Sequence, residues 1–206
     1  MNNIIRQTTE FAHHIISAYL PKGSDSPGCT VIDATCGGGH DTLFLATSLW
    51  PDHSDADGHR LLAFDVQEKA IELTRNRLAG ANFSHLIDRG HIRLISDSHE
   101  NISEYVDTNL ADIIVFNLGY LPGGNKSLTT MPESTIKAVQ SALHILSKDG
   151  LICITIYSGH PAGAQEKETL LQFAEGLDSS KYHASYIRMI NQYGNPPEIL
   201  LITRKN

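Results

Sequence analysis

The sequence predicts one α/β domain: a mostly parallel sheet of about seven strands, helices on both faces, and an antiparallel hairpin at the C-terminal end. Three features predict it. Short apolar runs ending in Asp or Asn alternate with segments of helical period. The runs are apolar throughout rather than at every second residue, as strands covered on both faces are. The last two runs, SYIRMI and EILLITR, follow one another with no helix between them, which makes them antiparallel neighbours at the sheet edge.

In chain order, Ile4, Ile5, Thr8, Phe11, Ile15 and Tyr19 recur at three- and four-residue intervals, so residues 3–20 are expected to form an amphipathic helix packed on the domain. Pro21-Lys22-Gly23 ends it. CTVIDA is a buried strand running into Gly37-Gly38-Gly39, and Asp41 to Leu49 is a helix burying Leu43, Phe44, Ala46 and Leu49. RLLAFD is the second strand, and a helix from Gln67 to Leu78 turns Ala70, Ile71, Leu73, Thr74 and Leu78 inward. HIRLIS is the third, followed by a short helix around Asn101 to Val106. ADIIVFN, the most apolar strand, is fourth; a loop rich in Gly and Pro and a helix from Pro132 to Leu146 follow it. GLICITIY, a helix over Glu166 to Gly176 and the two closing strands complete the order. With no internal repeat, residues 1–206 read as a single domain.

Composition narrows the function. The chain is 41% hydrophobic and 19% charged, enough for a proper core. No apolar run reaches the roughly 18 residues of a membrane span, and the N-terminus lacks the pattern of a secretion signal, so the expected location is the cytoplasm. Cys29, Cys36 and Cys153 are odd in number and scattered, as reduced, buried thiols would be. The 11 histidines show no ligand spacing, and no metal site is expected. A formal net charge of -7 argues against coating nucleic acid through bulk charge, although a local basic patch can still hold a structured RNA. Arg75, Arg77, Arg89 and Arg93 read as ordinary solvated positions on a helix and a loop.

In an open parallel sheet, ligands bind beyond the carboxyl ends of the strands. The first strand ends in Asp33-Ala34-Thr35-Cys36-Gly37-Gly38-Gly39-His40-Asp41. Glycines let a backbone approach a ligand, and the following helix offers unpaired amides. A dinucleotide fingerprint would need glycine at position 42, which is Thr42. Asp33 suits a ligand carrying positive charge, such as the sulfonium and ammonium of S-adenosyl-L-methionine. The second strand ends in Asp65, where a carboxylate can accept bonds from two ribose hydroxyls, with Gln67 two residues on. The third ends in Asp97-Ser98-His99, polar groups able to read an adenine edge. Any one of these is equally a helix N-cap; three acids after three successive strands favour a ligand. The fourth strand runs into Asn117-Leu118-Gly119-Tyr120-Leu121-Pro122-Gly123-Gly124. Asn117 and Tyr120 occupy the outer places of the Asn/Asp-Pro-Pro-Tyr/Phe loop with which methyltransferases acting on planar amines hold the acceptor nitrogen. Leu118-Gly119 replaces its two prolines, and a simple Asn-Gly turn is the competing reading.

DATCGGGHDT, FDVQEKAIELTRNRL, DSHE, NLGYLPGG, YSGHPAG and QYGNPPEIL together resemble the bacterial family once labelled rRNA methylases and now understood as tRNA 5-aminomethyl-2-thiouridine methyltransferases. The resemblance implies a Rossmann-like methyltransferase fold. It also implies methyl transfer from S-adenosyl-L-methionine to the aminomethyl group of the modified wobble uridine of tRNA, giving 5-methylaminomethyl-2-thiouridine. The partner is then the anticodon region of a tRNA, with Arg6 and Lys126 as contributors to a basic patch beside the Asn117 loop; a homodimer is left open. Two positions depart from the family pattern: Gly38, where Asn is frequent, and Ser158 in Tyr157-Ser158-Gly159-His160-Pro161, where a first histidine is usual. His160 keeps the family residue. The amine must attack as its free base, and His160 and Asp33 are the candidate proton acceptors. The alternatives are ribosomal RNA cytosine N4-methylation, whose first motif DATCGGGHDT also resembles, and a non-catalytic nucleotide- or RNA-binding module.

Overall fold

A computed structural model of the protein describes residues 7–20, 28–54, 58–108, 110–118, 132–159 and 161–205. Seven strands form one sheet: β1 (Thr30–Asp33), β2 (Arg60–Asp65), β3 (Ile92–Ser96), β4 (Ala111–Leu118), β5 (Leu146–Ile156), β6 (Tyr182–Ile187) and β7 (Glu198–Arg204), in the order β3-β2-β1-β4-β5-β7-β6. Neighbours from β3 through β5 are parallel, whereas β7 runs antiparallel to both β5 and β6. The expected hairpin is present, and its second strand lies inside, between β5 and the edge strand β6. The fold is the Rossmann-like methyltransferase arrangement.

Side chains alternate between two apolar layers. Val31, Leu61, Ile113 and Val115 face α1 (Thr8–Tyr19), α2 (His40–Leu49), α3 (Glu68–Gly80) and α4 (Ser84–Asp88). Ile32, Leu62, Ile114 and Phe116 face α5 (Pro132–Ile145), α6 (Pro161–Glu175) and a 3-10 helix over His99–Glu104. Burial on both faces is what made these strands read as continuous apolar runs.

β2 and β7 match RLLAFD and EILLITR residue for residue. β6 starts at Tyr182, not Ser185, and ends at Ile187. It is an exposed edge strand with no burial pattern to read, and Ile190, which looked strand-like, is 85% exposed. α6 begins at Pro161 rather than Glu166; proline suits the first helical position, where its missing N–H has no helical partner.

Three helix faces differ from expectation in the same way. α1 buries Thr8, Ala12 and Ile16, a strict four-residue ladder, while Phe11 and Ile15 flank it and Tyr19 is 44% exposed. Ile4 and Ile5 lie outside the described residues. α3 buries Ala70, Thr74 and Leu78 and leaves Leu73 exposed. α2 buries Ala46 and Leu49 as expected and Asp41, Thr42 and Leu45 besides, with Leu43 and Phe44 only half-buried. Small residues let a helix lie close to its neighbours, and the two buried polar residues of α2 belong to the site. Among the described residues, no helix is long and apolar enough to cross a membrane.

Candidate active site

Strand register cuts a notch in the sheet. Asp33, the last residue of β1, pairs with Ala63 on one side and Val115 on the other. β2 therefore runs two residues further, to Asp65, and β4 three, to Leu118, so that Asp65 and Asn117 stand roughly 7 Å beyond Asp33 at about 3.3 Å per residue. Because register partners point the same way, Asp33, Asp65 and Asn117 all project toward the α1–α3 face. Strand order reverses between β1 and β4, where ligands bind in open α/β sheets.

The turn after β1 is stitched to both walls. Ala34 N–H donates to Val115 O at 2.8 Å and Cys36 N–H to Phe64 O at 2.8 Å. Gly37 N–H reaches Asp65 Oδ2 at 3.0 Å, and Asn117 N–H donates to Thr35 Oγ1 at 2.6 Å. Gly39 has φ of +76° and lies so close to α3 that a Cβ would stand 2.8 Å from Thr74 Cα. Two α3 side chains hold the turn's carbonyls: Thr74 Oγ1 donates to Gly37 O at 3.3 Å, and Arg77 Nε to Gly38 O at 2.6 Å. Arg77 also donates to Nε2 of the exposed His40 at 2.9 Å. Arg77 is thus a structural clamp, not the solvated residue its surroundings in sequence suggest. Arg75, Arg89 and Arg93 are exposed as expected. Gly38 has room: among the described residues an added Cβ meets only the His40 ring, with Cδ2 at 3.5 Å and Nε2 at 3.9 Å.

Acidic groups crowd the notch. Asp33 is fully enclosed, accepting from Thr42 Oγ1 at 2.6 Å and Thr35 N–H at 3.2 Å. Burial first, then the charges of Asp41 and Asp65, push it up to about 7 against the pull of those two bonds. With one bond to each oxygen and no exposure to solvent, Asp33 braces the turn from within. Asp65 is half-buried; its second oxygen accepts from Gln67 N–H at 2.9 Å, leaving one lone pair on each oxygen for hydroxyl groups.

Asp97 and Ser98 largely serve the 3-10 helix. Asp97 accepts from Ser98 N–H (2.7 Å), Asn101 Nδ2 (3.0 Å) and the Tyr105 hydroxyl (2.8 Å), and these bonds hold its carboxyl below the ordinary range. Ser98 Oγ caps the helix by accepting from Glu100 N–H. His99 keeps an open valence: Nε2 is buried with no partner among the described residues, and burial lowers its pKa against the nearby Glu100 and Asp65.

At the end of β4, Asn117 Nδ2 donates to Asp41 Oδ2, and Asn117 Oδ1 is buried without a partner among the described residues. Asp41 Oδ1 meets His13 Nε2 of α1 at 2.5 Å. The Tyr157 hydroxyl bonds Thr9, also on α1. Ser158 donates to Glu198 Oε2 at 3.4 Å, and Lys167 Nζ lies 2.6 Å from the same oxygen. Partial burial disfavours the Glu198 charge, but the bonds from Lys167 and Tyr186 outweigh it and lower its pKa. Ser158 thus joins an ion-pair cluster at the β5–β7 rim. Gly119, Tyr120, Lys126, His160 and Arg6 lie outside the described residues. All three cysteines are free and buried; burial raises each thiol, Cys153 to about 12. Among the described residues, no group of three or more His, Cys, Asp and Glu side chains is placed to hold a metal.

The residues fit the sulfonium cofactor that the sequence suggests. A turn built from glycine, three carboxylates beneath and beside it, and two orphaned buried polar atoms (His99 Nε2 and Asn117 Oδ1) offer a cradle, negative charge and open hydrogen-bonding sites. Thr74, Arg77 and His13 are the contributors that sequence reasoning missed. Thr74 had been read only as a core position.

Known proteins resemble this chain in sequence and in fold. The family model described as "Putative rRNA methylase" matches residues 61–203. The tRNA (mnm(5)s(2)U34)-methyltransferase, chloroplastic, of Arabidopsis thaliana is 36% identical over 202 residues, covering 98% of this chain and 71% of that protein. A crystal structure described as a "putative rRNA-methylase" from Clostridium thermocellum superposes with a TM-score of 0.84 at 36% identity, covering 97% of this chain and 98% of that one. A Streptococcus mutans protein described as a "putative methyltransferase", solved in complex with SAH, gives a TM-score of 0.78 at 33% identity over 97% and 99% of the two chains. The ribosomal RNA small subunit methyltransferase H of Mycolicibacterium paratuberculosis is 37% identical over 97 residues, covering 46% of this chain and 22% of that protein. With the family model spanning most of the sequence and the likeness to the Arabidopsis enzyme running along nearly all of it, the chain belongs to the rRNA methylase family of Rossmann-like methyltransferases.

Proposed function

We propose that the protein is an S-adenosyl-L-methionine-dependent N-methyltransferase acting on tRNA, converting 5-aminomethyl-2-thiouridine at the wobble position to 5-methylaminomethyl-2-thiouridine. The observation that carries this reading is the 36% identity to the Arabidopsis tRNA (mnm(5)s(2)U34)-methyltransferase along 98% of the chain. In this reading the cofactor supplies an electrophilic methyl on a sulfonium. Asp65 takes the ribose hydroxyls, His99 the adenine edge, and the Cys36–Asp41 turn the charged amino-acid end, with the negative field of Asp33 and Asp41 beneath it. Asn117 Oδ1 accepts an N–H of the neutral amine and turns its lone pair toward the methyl group. Positioning of this kind contributes up to roughly 7–11 kcal/mol. Tyr120 and His160 remain acceptor-side candidates from the sequence.

We treat residues 1–206 as one functional domain, because α1 and β7, near the two ends of the sequence, both pack on β5. Three free, buried thiols suit a reducing compartment, and we place the reaction in the cytoplasm. The likeness to the ribosomal enzyme covers half of this chain, which makes cytosine N4-methylation the second reading. Parallel incubations with labelled cofactor and either tRNA bearing 5-aminomethyl-2-thiouridine or unmethylated ribosomal RNA, then nucleoside digestion, test both. Labelled 5-methylaminomethyl-2-thiouridine supports the first; label only on cytidine of ribosomal RNA supports the second.

A further inference from the structure

The N-terminal helix reaches the acceptor end of the site. Thr9 and His13 lie one turn apart on the same face of α1, Thr9 at the Tyr157 hydroxyl and His13 at Asp41. The imidazole is gripped twice by α2. Its Nε2 lies 2.5 Å from Asp41 Oδ1, and its ring lies flat on Phe44, with centroids 3.8 Å apart and planes 3° from parallel. Asp41 and Phe44 are three residues apart on α2 and share a face, so edge and ring contacts fix one imidazole orientation. A carboxylate can only accept, so Nε2 carries the proton of this bond. The same logic orients the next group. Asp41 Oδ2 accepts from Asn117 Nδ2, which leaves Asn117 Oδ1 directed away from the acid, buried and without a partner among the described residues.

We propose that His13 is a positioning residue for methyl transfer: through Asp41 it locks the Asn117 amide with Oδ1 toward the acceptor N–H. This rests on the reading of Asn117 as the acceptor-binding group. Without the His13 bond, the Asp41 carboxylate turns freely and the Asn117 amide can flip. A flipped amide presents N–H to the amine instead of a carbonyl, so the acceptor loses its orientation while the cofactor contacts stay in place. Neither the spacing in sequence nor the strand ends point to this residue, since its partner lies 28 positions away on another helix.

His13→Phe keeps a ring on Phe44 but removes the donor, and His13→Gln restores an N–H without the ring. His13→Leu replaces the Phe variant as non-donor if the latter does not fold. In steady-state kinetics on the modified tRNA, we expect His13→Phe to lower kcat about 10-fold or more with the cofactor Kd and tRNA KM within about threefold of wild type. His13→Gln should recover most of the loss. The Asn117 side-chain amide resonances, identified by their absence in Asn117→Asp, should shift in His13→Phe and return toward wild type in His13→Gln. Wild-type turnover in the non-donor variant, an unshifted amide, or loss of cofactor binding in parallel with kcat and no rescue by Gln would each overturn the proposal. If the wild-type protein makes no methylated wobble nucleoside while the amide still shifts on His13→Phe, the substrate reading fails and the relay stands.

Discussion

Replacing Gly39 by Ala perturbs the part of the site built from backbone alone. An added Cβ would stand 2.8 Å from Thr74 Cα, 2.9 Å from its Oγ1 and 3.1 Å from its Cβ, so α3 must back away from the turn. Forcing a methyl into packed space costs about 1–3 kcal/mol, and the φ of +76° adds roughly 1–2 kcal/mol for a left-handed residue with a side chain. The loss of about 2–5 kcal/mol is a large fraction of the roughly 5–15 kcal/mol that holds a domain folded. Cofactor affinity falls with it, because a displaced α3 carries Thr74 and Arg77 away from the carbonyls they bind. Gly38 is the built-in control. Its φ is not left-handed and its nearest neighbour is 3.5 Å away, so Gly38→Ala changes stability by less than about 1 kcal/mol, in the favourable direction. Gly38→Asn is expected to fold as well, since an added Cβ meets only the ring of the exposed His40. Urea unfolding with a constant slope, beside calorimetric titration with S-adenosylmethionine, makes the comparison. Equal midpoints for the two alanine variants would refute the close approach of turn and helix.

Asp65→Ala should weaken S-adenosylmethionine binding by on the order of 2–3 kcal/mol, since it leaves ribose hydroxyls without a charged acceptor; unchanged calorimetric affinity in the folded variant would remove Asp65 from the site. Asn117→Ala should keep cofactor affinity and lower turnover on the modified tRNA by about 10²-fold or more, and wild-type turnover would reduce the loop to a turn. Asp33 predicts a pH effect. Its folded-state pKa of about 7 lies above the ordinary 3.8, so the folded chain holds a proton that the unfolded chain has lost between those values. Its contribution to stability therefore falls as pH rises from about 4 to 7. The same ionisation favours a cation, so the affinity for S-adenosylmethionine relative to uncharged-sulfur S-adenosylhomocysteine should rise from pH 6 to 8. A flat ratio would detach Asp33 from the sulfonium.

The strand ends were legible because the chain changes character there, from apolar runs buried on two faces to Asp33, Asp65, Asp97 and Asn117. β6 was placed late because an edge strand in solvent has no burial constraint, whereas β7, enclosed between β5 and β6, reads to the residue. Helix faces are harder to read: the pattern on α1 passes over the small, buried Ala12, and that on α3 adds the exposed Leu73 to the correctly placed Ala70, Thr74 and Leu78. Within the site, the sequence separates partners that the fold joins. Thr74 and Arg77 bond glycine carbonyls 37 and 39 positions away. Such pairings follow from how α3 crosses the turn, which no local pattern encodes.

The shortness of β1 ties the life of the protein to its small-molecule supply. A ligand seated in the notch bridges the turn, β2 and β4 at once, the three pieces on which the middle of the sheet depends. Occupancy at 100 times Kd adds about 2.7 kcal/mol to the folded state, and shifts of this size change steady-state abundance several-fold where unfolded chains are continuously degraded. A cell short of cofactor would then lose the enzyme as well as its turnover.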